Sequence, residues 1–231
     1  MLQARNLTKE FNGKKVLNHV SLSVGKGEVY CLLGQNGAGK TTTINVFLGF
    51  IEPSEGQALI NNVTVKPNSV DTNKMIAYIP EVVQLYGNLS GLENLDFFSR
   101  LAGFTYSEKE LASFLAKAGL QQNAHAGRLS TYSKGMRQKV GIAIALSKKA
   151  DVVFMDEPTS GLDPKATAEF TTICQELARE GKSIFMATHD IFNAVNVGTR
   201  IGIMKEGVLV HEVETGNINA NQLQQLYLET I

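Results

Sequence analysis

The sequence predicts an α/β fold: a mostly parallel sheet with helices on both faces, an antiparallel β portion at the N-terminus and an inserted helical lobe. Three observations predict it. Short apolar runs bounded by Gly, Pro, Asn and Asp alternate with stretches of helical periodicity, the pattern of a parallel sheet joined by crossover helices. One such run, Val29-Tyr30-Cys31-Leu32-Leu33, feeds directly into a glycine-rich segment that opens a helix. Between the strand-rich halves, Leu92, Leu95, Phe98 and Leu101 recur at helical spacing, as do Leu111, Phe114, Leu115 and Ala118.

The elements follow in order. Leu2 to Leu7 and Val16 to Val24 read as strands, with Asn12-Gly13 and Gly25-Lys26-Gly27 as turn signals. Glu28 to Leu33 is a buried strand, and a helical pattern runs from Gly39 to about Phe50, stopped by Pro53-Ser54-Glu55-Gly56. Ala58 to Ile60 and Met75 to Ile79 are strands. Residues 82–147 form the helical lobe, set between core segments 1–81 and 148–231. Asp151 to Met155 is a strand, Pro164 to Arg179 a helix, and Ser183 to Thr188 a strand followed by a short helix. Arg200 to Met204 and Val208 to Val213 pair around Glu206-Gly207, and a last helix starts at Asn219.

Composition narrows the function. At 231 residues, with 43% hydrophobic and 19% charged, the chain suits one large globular unit. Lys plus Arg and Asp plus Glu are both 22, so the basic excess of a general nucleic-acid binder is missing and no nucleic-acid partner is expected. Cys31 and Cys174 lie far apart without metal-ligand spacing, which fits a reducing cytosolic setting, and Cys31 reads as a small core residue. No run of 18 apolar residues occurs and Met1 to Asn6 opens no signal peptide, so any membrane span is expected from another chain or domain.

Gly34-Gln35-Asn36-Gly37-Ala38-Gly39-Lys40-Thr41-Thr42 follows a strand and opens a helix, the context that makes this pattern a phosphate-binding loop. Glycines let consecutive backbone N–H groups turn inward onto phosphate oxygens, and the helix adds the positive end of its dipole. Lys40 is placed to reach the β- and γ-phosphates and Thr41 to ligate Mg²⁺. Val152 to Asp156 is an apolar strand that ends in two carboxylates, Asp156 for the metal and Glu157 as general base for an attacking water.

These residues resemble the ATP-binding subunits of ABC transporters. Glu157 continues as Pro158-Thr159-Ser160-Gly161-Leu162-Asp163-Pro164, similar to that family's D-loop stretch with Asp163. Tyr132-Ser133-Lys134-Gly135-Met136-Arg137-Gln138 resembles its signature motif, and Thr188-His189-Asp190 its switch histidine. The resemblance covers nearly the whole chain and implies a P-loop NTPase with a RecA-like core. It further implies that Phe11 stacks on adenine, that Val16 borders the nucleotide, and that His189 acts with Glu157 at the γ-phosphate. Ser133, Lys134, Gly135 and Met136 would face the ATP of the opposite subunit, so that two chains enclose two ATPs with Mg²⁺.

Three positions depart from the family pattern. Lys134 replaces the first signature glycine, Met136 its final glutamine, and Glu81, after Ala77-Tyr78-Ile79-Pro80, stands at the Q-loop position. Lys134 requires that this residue does not adopt positive φ. Glu81 adds negative charge near the γ-phosphate and can approach Mg²⁺ through water. The motif style resembles exporters of drugs, sodium, peptides or lipids, which implies separate integral membrane subunits at the cytoplasmic face and a homodimer or a heterodimer with a related ATPase. Two other readings stand beside it: an ABC ATPase acting on nucleic acid or the ribosome, and a regulator that binds nucleotide without hydrolysing it.

Overall fold

The computed structural model describes all 231 residues. Strands β1 (Leu2–Phe11) and β2 (Lys14–Val24) form a hairpin that is longer than the sequence expectation. Its turn is Asn12-Gly13, with φ of 49° and 78°, the two positive angles that a tight two-residue hairpin turn demands. With β4 (Glu55–Ile60) and β5 (Val63–Thr64) they make an antiparallel sheet in the order β2-β1-β4-β5.

The main sheet has the order β10-β9-β3-β8-β7-β6. Its strands are β3 (Val29–Gly34), β6 (Ile76–Ile79), β7 (Val152–Asp156), β8 (Ser183–Thr188), β9 (Arg200–Lys205) and β10 (Val208–Glu214). All neighbours run parallel except β10, which adds antiparallel at one edge.

Strand β3 shows how the layers form. Val29, Cys31 and Leu33 point into one core with residues of the helices, whereas Tyr30 and Leu32 point into a second. The first core takes Val140 and Ile142 from α5 (Lys134–Ser147), Phe170, Cys174 and Leu177 from α6 (Pro164–Arg179), Ala194 and Val197 from α7 (Ile191–Val197), and Leu223 from α8 (Ala220–Thr230). The second packs Phe47 of α1 (Lys40–Phe47) with Phe154 and Phe185 at ring distances of 5.6 and 5.9 Å, and continues into Leu2, Leu7 and Leu17 of the antiparallel sheet. Helices therefore lie on both faces, unequally. On the second face α1 lies between the main sheet and the antiparallel sheet, whose Leu2, Leu7, Leu17 and Ala58 join the same core.

Helix α1 stops at Phe47, short of Phe50. Gly49 takes φ 71° and donates to Val46 O, while Phe50 N reaches back to Asn45 O, a glycine-terminated helix end. A short helix, α2 (Val70–Met75), capped by the Ser69 side chain, was not expected from periodicity. Helices α3 (Gly91–Leu101) and α4 (Glu108–Lys117) each begin with a reciprocal cap, Ser90 with Glu93 and Ser107 with Glu110. Leu95, Leu111 and Leu115 join them to α5, and that cluster is continuous with the first core.

Candidate functional site

In register, Leu33 lies beside Thr188 and Asp156 beside Ala187, so the C-terminal ends of β3, β7 and β8 converge at one rim of the sheet. Ligands of open α/β sheets bind at this rim. A polar cavity of about 250 Å³ opens there, lined by Val16, Gln35, Asn36, Gly37, Gly39, Lys40, Thr41, Thr42, Glu81, Asp156 and Glu157.

The loop before α1 needs glycine for a steric reason. Gly39 has φ 106°, and a Cβ there would lie 2.9 Å from Leu17, Met204 and the Val16 carbonyl. Lys40 is buried, with Nζ donating to Gly34 O at 2.7 Å and Gln35 O at 3.2 Å and lying 3.6 Å from Glu157 Oε1. Thr41 Oγ1 donates to Asp156 Oδ2 at 2.9 Å. Burial raises the Asp156 carboxyl above its ordinary range; the Thr41 hydrogen bond counters this, and the nearby Glu157 charge adds to it.

Glu157 follows β7 with φ 45°, a left-handed conformation that a non-glycine residue holds only when its surroundings impose it. Glu157 N donates to Ala187 O at 2.9 Å, and its Oε2 accepts from His189 N at 3.3 Å and lies 2.8 Å from His189 Nδ1. Its Oε1 is buried and has no hydrogen-bond partner. This orphan acceptor lies 3.6 Å from the Lys40 ammonium on the phosphate loop.

Two loop residues stand behind the cavity wall. Gly34 and Ala38 do not line the cavity: Gly34 lends its carbonyl to Lys40, and buried Ala38 accepts from Gly207 N at 2.9 Å. Phe11 also lies outside the lining, at the end of β1, 44% exposed as a residue and with the Lys9 ammonium 4.9 Å from its ring centroid. An exposed apolar ring is available to an outside planar group, whereas Val16 already borders the cavity.

The signature residues gather elsewhere. Ser133 caps α5, its Oγ accepting from Met136 N at 3.3 Å, and a separate cleft of about 180 Å³ holds Ser133, Gly135, Met136, Asp163 and Lys165. Lys134 occupies the first helical position and has no positive φ, so its Cβ is accommodated there. Asp163 caps α6 by accepting from Ala166 N at 2.8 Å. No residue lines both cavities, so within one chain the signature stays apart from the phosphate loop.

Some contacts at the site carry no sequence signal. Glu81 Oε1 accepts from Ser160 Oγ at 3.0 Å, and its main-chain oxygen accepts from Gln138 Nε2 at 3.2 Å. Asn193, buried on α7, donates to Thr159 Oγ1 at 3.2 Å and accepts from Thr171 Oγ1 at 3.0 Å, fixing the segment after Glu157 to the helix after His189.

A phosphate loop, an acidic strand end and a histidine on the neighbouring strand, carried by a parallel core with an antiparallel sheet and a helical lobe, define a P-loop ATPase of the cassette type. This chain belongs to the ABC transporter family, whose model matches residues 17–160. The bacitracin transport ATP-binding protein BcrA of Enterococcus faecalis is 34% identical over 95% of this chain and 71% of its own length. The linearmycin resistance ATP-binding protein LnrL of Bacillus subtilis is 32% identical over 91% of this chain and 68% of its own. An ATP-binding subunit of an ABC transporter superposes with a TM-score of 0.86 at 29% identity, covering 99% of this chain and 98% of that one. The cassette MJ0796, solved as a dimer in a post-hydrolysis state with ADP and Pi, gives 0.81 at 26% identity, covering 93% and 99%. The chain is thus an ATP-binding, ATP-hydrolysing subunit of this family. No helix is long and apolar enough to cross a membrane.

Proposed function

We propose that two such ATPase subunits, identical or related, close on two Mg-ATP and drive export through separate membrane subunits at the cytoplasmic face. The observation that carries this reading is the division of labour within one chain. The P-loop cavity has a lysine, two threonine hydroxyls and three carboxylates, while the serine-capped end of α5 faces a different cleft. A second chain is needed to bring the two together.

Lys40 and the loop N–H groups of Gln35 to Gly37 and Gly39 to Thr42 hold the triphosphate, Phe11 offers its exposed ring to adenine, and Val16 packs beside the nucleotide. The residues present fit Mg²⁺. Thr41 Oγ1 and Asp156 Oδ2 lie 2.9 Å apart, and no group of three His, Cys, Asp or Glu side chains stands ready to hold a metal alone. A hydroxyl and one carboxylate suit an ion that takes its remaining ligands from phosphate and water. When bound, Mg²⁺ supplies charge neutralisation at the phosphates.

Glu157 Oε1 accepts the proton of the attacking water, while His189 fixes the other carboxylate oxygen through Nδ1 and the main-chain N–H. Ser133, Lys134, Gly135 and Met136 present an N-terminal helix end to the opposite γ-phosphate, and Asp163 shapes the loop between the half-sites by capping α6. Loss of the γ-phosphate removes the contact that joins the subunits, so hydrolysis opens the sandwich. Hydrolysis itself is catalysed mainly by positioning and charge.

Residues 82–147 act as a lobe that meets the membrane subunits. Val82 and Tyr86 are exposed there, whereas Val83 is buried and serves packing. Export, rather than import, is supported by the motif style and by relatives named for bacitracin transport and linearmycin resistance. Fractionation tests the assignment: the chain is expected with a membrane protein in the membrane fraction, and co-purification with nucleic acid or ribosomes would favour the non-transport reading. Phosphate release measured with the membrane partner present excludes or supports a regulator that binds without turnover.

A further inference from the structure

Glu81 is held at two points by segments that lie outside its own strand and loop. The Ser160 hydroxyl, between Glu157 and Asp163, donates to its carboxylate at 3.0 Å. Gln138, on the helix that Ser133 caps, donates to its main-chain oxygen at 3.2 Å. Gln138 is 1% exposed and its amide nitrogen ties the main chain of Glu81 to the helix core, while its Oε1 is buried without a partner. Glu81 in turn lines the phosphate cavity beside Asp156 and Glu157.

A third carboxylate at a phosphate site is unfavourable unless its direction is controlled, because like charges repel the triphosphate. One hydrogen bond from Ser160 orients the carboxylate through Oε1 and leaves Oε2 without a protein donor, at a residue that lines the cavity.

We propose that Ser160 is a positioning residue that anchors the Glu81 carboxylate at the cavity rim, so that Glu81 accepts a hydrogen bond from a water on the nucleotide-bound metal. The inference rests on the Mg-ATP reading of the cavity and adds to it a residue pair. The departure at position 81 then has its partner in the same chain. Without the hydroxyl, the free carboxylate samples many orientations, and its contribution to metal-dependent binding is lost.

The test is equilibrium binding of a fluorescent non-hydrolysable ATP analogue as a function of Mg²⁺ concentration, with no turnover involved. Ser160→Ala and Glu81→Ala are each expected to raise the Mg²⁺ concentration needed for half-maximal binding by roughly three- to tenfold, the range of a typical net hydrogen bond. The double variant is expected to be no worse than Glu81→Ala alone, the signature of one shared interaction. Ser160→Thr keeps the hydroxyl and is expected to restore the wild-type Mg²⁺ dependence. The proposal is overturned if Ser160→Ala leaves the Mg²⁺ dependence unchanged, if the two single effects multiply in the double variant, or if Ser160→Thr behaves as Ser160→Ala. Lys40→Ala separates the two levels of the argument. If it binds the analogue as wild type does, the cavity is not the nucleotide site; if it abolishes binding while Ser160→Ala is silent, only the positioning role fails.

Discussion

Glu157→Gln removes a charge and a base while leaving the shape of the site in place. The glutamine amide oxygen can occupy the position of Oε2 and keep both His189 contacts, now at 2.8 and 3.3 Å. Lys40 stays fixed by Gly34 O and Gln35 O, and the main-chain bond from residue 157 to Ala187 O is independent of the side chain. What disappears is the orphan acceptor Oε1. A positioned general base contributes about 10²–10⁴-fold, equal to about 3–5 kcal/mol of barrier at about 1.36 kcal/mol per tenfold. Phosphate release at saturating Mg-ATP is therefore expected to fall by about that factor. Nucleotide affinity should change by only a few-fold, and gel filtration with ATP should show a trapped dimer. A variant that turns over within threefold of wild type would refute the assignment of Glu157 as the base.

Other perturbations test separate parts of the account. Asn193→Ala strips a buried side chain from Thr159 and Thr171 and leaves their hydroxyls short of partners, so denaturant unfolding should show a loss of about 1–3 kcal/mol. Asp163→Ala removes the cap of α6 and should cost about 1 kcal/mol by the same measurement. For Asp156, burial places the folded-state pKa above the unfolded one, so the folded state binds more protons and the carboxylate opposes folding at pH above both values. Asp156→Asn should therefore melt no lower than wild type at neutral pH without nucleotide, and should lose the melting shift that Mg-ATP gives wild type. As pH falls through the window between the unfolded and the raised folded pKa, the wild type should regain the difference. A lower neutral-pH melting temperature for Asp156→Asn would contradict this.

The parts of the molecule legible in the sequence are those where local chemistry and global fold agree. Val29 to Leu33 is apolar on both sides because β3 is buried on both faces, and the glycines after it permit a turn that a Cβ at Gly39 would block. Ser133, Asp163 and Asn219 announce helix starts, and each caps its helix. What covers each face of the sheet was not legible, since alternating burial in β1 and β2 has the same pattern whether the partner is a helix or another sheet. The end of α1 was misplaced because Gly49 terminates it inside a stretch that still looks apolar. At the site, residue types were readable and their mutual geometry was not. The left-handed backbone at Glu157, the position of Phe11 outside the cavity lining and the contacts of Glu81 arise from segments far apart in the chain.

A disulfide between subunits tests the shared site most directly. Ser133→Cys and Asn36→Cys in one chain place one thiol at the capped end of α5 and one on the exposed phosphate loop. The native Cys31 and Cys174 are fully buried, and burial pushes the Cys31 thiol up to about 12, so neither competes for the oxidant. If two chains enclose each nucleotide, mild oxidation with Mg-ATP should yield a covalent dimer, and oxidation of the nucleotide-free protein should yield far less. A protein that stays uncrosslinked with ATP, while wild-type monomers hydrolyse ATP at full rate, would contradict the account.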